Sequence, residues 1–86
     1  MYEIIEKAAK TAKRNTKRND SLETRKDYLL SLLDIEINMS KIIICDDEKP
    51  CAGAAFTVKK LKDRYRINYR CGYGTYNYAP CIEILE

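Results

Sequence analysis

Apolar positions in the first third of the chain recur at helical spacing. Ile4, Ile5, Ala8, Ala9 and Ala12 stand three and four residues apart and share one side of a helix predicted from Tyr2 to about Arg18. That face is mostly alanine, which suits close approach to a neighbouring element. Asn19-Asp20 interrupts the pattern. Asp20, with Glu23 three residues on, forms a capping pair for a second helix. Leu22, Leu29, Leu32 and Leu33 then make an apolar stripe. Apolar and polar residues also alternate from Leu33 to Ser40, a strand period, but the leucine stripe is already running and places the helix end near Glu36.

The second half changes period. Ile42 to Cys45 is a short β-branched run, and Asp46 to Pro50 has turn chemistry. Ala54 to Leu61 alternates around Phe56 and Val58, and Lys62-Asp63 turns the chain. Arg64 to Tyr73 and Tyr76 to Leu85 are predicted strands of a C-terminal hairpin around Gly74-Thr75, with glycine first in the loop as a type II′ turn requires. The register then follows. Tyr73/Tyr76, Cys71/Tyr78, Tyr69/Pro80, Ile67/Ile82 and Tyr65/Ile84 pair on an apolar face. Gly72/Asn77, Arg70/Ala79, Asn68/Cys81, Arg66/Glu83 and Arg64/Leu85 pair on a polar one, with an Arg66–Glu83 ion pair. A slip of one residue would mix the two sets. Pro80 cannot donate to a ladder and points to an edge strand or a bulge. The pattern predicts one α+β domain over residues 1–86. Two N-terminal helices pack on a three- to four-stranded antiparallel sheet with a C-terminal β-hairpin, and cover the face bearing Phe56, Val58, Ile67, Ile82 and Ile84.

Composition adds little to this until charge is mapped. Apolar residues make up 45% and charged residues 34% of the chain, values of a folded domain rather than a disordered one. No apolar run approaches the ~18 residues of a membrane span. No apolar segment follows Met1-Tyr2-Glu3, so a cytoplasmic location without a signal peptide is expected. The net charge of +3 is unevenly placed. Lys7, Lys10, Lys13, Arg14, Lys17 and Arg18 fall in a stretch without an acid, on the helix side opposite the alanines. A second basic stretch carries Arg64, Arg66 and Arg70 on the polar side of the hairpin. Asp46, Asp47 and Glu48 form an acidic knot, read as a solvated turn.

The residues that catalysis commonly needs are mostly missing from the sequence. The chain has no histidine, which removes the commonest general base and the usual partner of a serine or cysteine nucleophile. No glycine-rich loop precedes a helix. Cysteines at 45, 51, 71 and 81 lack the close spacing of a zinc site and are expected to be mostly buried thiols, with no metal and no cofactor. Arg70 and Cys71 point to opposite faces of a strand, so the arginine does not activate the thiol. A non-enzymatic binding protein is the expectation. "RCGYGTYNY" resembles the second consensus of the RNA-recognition motif, but Cys71 and Thr75 interrupt it and the βαββαβ order is missing.

Two binding readings follow. In the first, the cations of the N-terminal helix and of the hairpin engage nucleic acid or a nucleic-acid-handling protein. In the second, the chain is a protein inhibitor or adaptor. In size and composition it is similar in kind to small phage-encoded, anti-CRISPR-like inhibitors of bacterial defence nucleases. Tyr65 and Tyr69 are expected in the core. Tyr73 and Tyr76, beside the turn, are candidate partner contacts. The alanine-rich apolar side argues against membrane binding, and an exposed edge strand offers a seam for a homodimer.

Overall fold

The computed structural model describes residues 1–45, 54–70 and 80–86. Helix α1, Tyr2–Asn15, buries Ile5, Ala8, Ala9 and Ala12, the predicted face. It stops three residues before the predicted end. Thr16 turns extended, and both its backbone N–H (3.0 Å) and its hydroxyl (2.7 Å) donate to the Ala12 carbonyl. Lys17 and Arg18 therefore lie in the connection to the second helix.

Helix α2, Leu22–Glu36, ends where the leucine stripe placed it, and buries Leu29 and Leu33. Its cap differs from expectation. Ser21, not Asp20, is the N-cap and accepts from the Thr24 N–H at 3.1 Å. Asp20 instead accepts from the Lys17 N–H at 2.7 Å and folds the connection into a turn. A hydrogen bond from Asn15 Nδ2 to the Tyr28 hydroxyl, 2.9 Å, ties the end of α1 to α2.

A 3-10 turn at Met39–Lys41 leads into strand β1, Ile42–Cys45. Strands β2, Thr57–Lys60, β3, Arg64–Asn68, and β4, Cys81–Leu85, complete an antiparallel sheet in the order β1-β4-β3-β2. The β3–β4 register pairs Tyr65 with Ile84, Ile67 with Ile82, Arg66 with Glu83 and Asn68 with Cys81, as the apolar pattern required. The Gly74-Thr75 turn and the pairs from 71 to 79 lie outside the described residues, as does the acidic knot at 46–48.

Two strand expectations change. β2 begins at Thr57 rather than Ala54, because Phe56 takes a left-handed backbone (φ 63°), rare for an aromatic residue. Its N–H donates to the Asn68 carbonyl, and its ring enters the core. Nor is β4 an edge. It lies between β1 and β3, and Pro80 sits one residue before it, where no ladder donor is lost. The edges are β1 and β2.

The helices cover one sheet face. Ile5, Ala8, Ala9 and Ala12 of α1 and Leu29 and Leu33 of α2 share a core with Phe56, Tyr65, Ile67, Tyr69, Ile82 and Ile84, while Val58 packs at its margin. Both tyrosines expected in the core are there. The other sheet face centres on Glu83, only 1% exposed, beside buried Asn68, Cys45 and Cys81.

Candidate basic interface

The cations of the N-terminal stretch are one group in sequence and two in space. Lys7, Lys10 and Arg14 line a groove along the outer side of α1, together with Tyr2, Glu3 and Glu6. Glu6 bonds Lys10 at 3.0 Å, and that contact, with the Tyr2 hydroxyl, holds the Glu6 carboxyl below the usual carboxylate range. Lys7 and Arg14 form no ion pair among the described residues. Lys13 belongs with the second group. With Lys17, Arg18 and Arg25 it surrounds a cavity of about 230 Å³, closed on the far side by Ala54, Ala55 and Phe56.

Arg25 escaped the sequence reading. It stands on the apolar stripe of α2, three residues after Leu22 and four before Leu29, and that spacing was its available signal. The side chain is 5% exposed. Its guanidinium donates to the backbone carbonyls of Lys17, at 3.4 Å, and Arg18, fixing the shape of the α1–α2 connection.

The hairpin arginines are placed differently. Arg64 and Arg66 project from the sheet face away from the helices and turn onto Glu83, at 3.4 and 3.3 Å. Arg64 also bonds Asp63 at 3.1 Å, which lowers the Asp63 carboxyl and raises the guanidinium. The predicted Arg66–Glu83 pair is present; Glu83 is almost wholly buried and Arg66 partly so, which the charge pattern alone did not announce. Arg70 is half-buried, and its backbone N–H donates to Asn68 Oδ1 at 2.9 Å. The two basic stretches thus sit on opposite sides of the helix–sheet sandwich, and the pairing with Glu83 neutralises part of the second. Tyr73 and Tyr76 lie outside the described residues.

A further cluster joins Cys45 to this far face. Cys45 and Cys81 are buried thiols on directly opposed positions of β1 and β4. The Cys45 thiol donates to Glu83 Oε1 at 3.0 Å; burial first, and then that bond, push it up to about 12. Such a thiol is not a thiolate nucleophile at neutral pH. Among the described residues no three metal-ligating side chains converge, and no helix is long and apolar enough to cross a membrane.

Apolar side chains also reach the surface. Ile35 is 77% exposed, and it borders a groove of about 340 Å³ between α1 and α2 with Ile4, Ala8 and Leu32. No family model, curated protein or solved structure matches this chain.

Proposed function

We propose that this protein is a small, non-catalytic binding protein that engages nucleic acid through the cations of α1 and of the connection that follows it. The observation that carries the reading is the set Lys7, Lys13, Arg14 and Lys17. All four are exposed, and none forms an ion pair among the described residues. Cations of this kind meet successive phosphates and release the counterions condensed there. Arg64 and Arg66 take a lesser part in this reading, because Glu83 already engages them.

A second reading is favoured by the α1–α2 groove with Ile35 at its rim. Here the chain is an inhibitor of a nucleic-acid-handling protein, anti-CRISPR-like, and the groove takes an apolar anchor of the partner while the α1 cations meet acidic residues around it. Paired variants separate the two. Reversing Lys7, Lys10 and Arg14 to glutamate abolishes oligonucleotide binding under the first reading, while Ile35→Asp leaves it intact. Should Ile35→Asp release a co-purifying protein and the reversals leave oligonucleotide binding untouched, the second reading replaces the first.

A further inference from the structure

We propose that the cavity at the end of α1 is a binding site for a phosphoryl group, held by Arg25, Lys13 and Lys17. Arg25 is the strongest reason. A guanidinium carries five N–H donors and is always charged. The bonds it makes, to the Lys17 and Arg18 carbonyls, use a single nitrogen, and no carboxylate among the described residues pairs with it. Among the described residues no buried side-chain nitrogen lacks a partner, so the remaining guanidinium donors reach solvent at the cavity that Arg25 lines. A positive charge so far removed from water calls for an anion, and two neutral carbonyls supply only part of the compensation.

The surroundings point the same way. Lys13 and Lys17 stand at the cavity with no ion pair among the described residues, Arg18 also lines it, and none of its described lining residues is an acid. Asp20, three residues from Lys17, accepts from the Lys17 backbone N–H, Glu23 bonds Lys26 at 3.1 Å, and neither these two acids nor Asp27 are part of the wall. Cations at the last turn of a helix also complement its dipole. That accounts for Lys13, but not for Lys17 beyond the end of α1, nor for a buried arginine in the first turns of α2.

Ala54 and Ala55 form an apolar wall, fixed by the left-handed Phe56 and by the Thr57 hydroxyl donating to the Ala54 carbonyl at 2.5 Å. The cavity is thus cationic on one side and apolar on the other, which fits a phosphate ester better than a bare halide. A planar guanidinium fork with two flanking ammonium groups matches a phosphoryl oxygen set. The group has two possible sources, nucleic acid or a free phosphate. Only the first of these rests on the function proposed above.

The test is a titration of the full-length protein with inorganic phosphate, followed by amide chemical shifts, against chloride at matched ionic strength. Saturable shifts confined to Thr16–Arg18, Arg25 and Ala54–Phe56 are expected with phosphate alone. Lys13→Ala with Lys17→Ala should weaken them about tenfold or more, the scale of one charged contact. Lys62→Ala, remote from the cavity, should not. The lysine variants keep the test valid if replacing Arg25 disturbs the fold. Shifts absent, equal in chloride, or undiminished in the double variant overturn the site.

Oligonucleotides with a 5′-phosphate or a 5′-hydroxyl then identify the source. Tighter binding of the first, with shifts at the cavity, assigns a terminal phosphate; equal binding with the same shifts assigns a backbone phosphodiester. Cavity shifts with inorganic phosphate but none with either oligonucleotide keep the site and remove nucleic acid as its ligand. Oligonucleotide binding that leaves the cavity silent to every probe keeps the proposed function and ends the site.

Discussion

At the scale of single residues, Glu83 organises the sheet face turned away from the helices. It accepts from Arg64, Arg66 and the Cys45 thiol while almost wholly screened from water. Glu83→Gln removes the charge that two arginines share and should cost about 1.5–3 kcal/mol, the range of hydrogen bonds to charged groups, read as a fall in urea midpoint. Cys45 gives a pH signature. Its thiol titrates near 9.0 in an ordinary setting and near 12 in the fold, so the folded state holds the proton longer than the unfolded one. The resulting stabilisation is complete below pH 9 and is lost as pH climbs towards 12. Between pH 8 and pH 10 the wild-type protein should therefore lose more stability than Cys45→Ser, as urea midpoints will show; equal losses would contradict the assignment.

Residues were legible where alternation governs them. Tyr65, Ile67, Ile82 and Ile84 were foreseen in the core because a strand with one apolar face admits a single register. The same alternation marked the opposite face as polar but left its burial open, since period alone does not say whether a second layer of contacts closes over Glu83 and Asn68. Arg25 was missed for a related reason. One cation on a leucine stripe looks like a flaw in the pattern, and only the fold shows the carbonyls it braces.

At the scale of elements, ends were less legible than types, because capping is decided by which of several neighbouring polar groups reaches a free N–H. Asp20 and Ser21 are both good caps, and Ser21 takes the position. Ser21→Ala should therefore lower stability by about 1 kcal/mol in thermal or urea melts. Leu33 joins α2 to the core with no exposure, and Leu33→Ala should cost about 2–5 kcal/mol. β1 was recognised as a strand, yet nothing local announced its pairing with β4. The contact spans some forty residues, and it makes β4 a central strand although proline precedes it. The two edges differ in protection. β2 carries Lys59 and Lys60, a common defence against edge pairing, whereas β1 shows Ile43 and Ile44 to solvent. If a homodimer forms through an edge, β1 is the seam, and Ile43→Lys should convert dimer to monomer in sedimentation while the fold is retained.

At the scale of the whole molecule, a two-layer sandwich separates charges that the sequence places in comparable stretches. The α1 cations face outward from the helix layer, and the hairpin arginines lie on the far side of the sheet, drawn in by Glu83. Under the proposed function, a single strand of nucleic acid would run along the Lys7, Lys10 and Arg14 groove and reach Lys13 and Lys17 at the end of α1 without contacting Arg66. The affinity of the full-length protein for a single-stranded oligonucleotide, measured between about 50 and about 200 mM salt, tests this most directly. Four or five phosphate contacts predict a slope of about −3 in log affinity against log salt, abolished when Lys7, Lys10 and Arg14 become glutamate and preserved in Arg66→Met. Affinity that is undetectable at the lowest salt, or that ignores the reversal of all three charges, would contradict it.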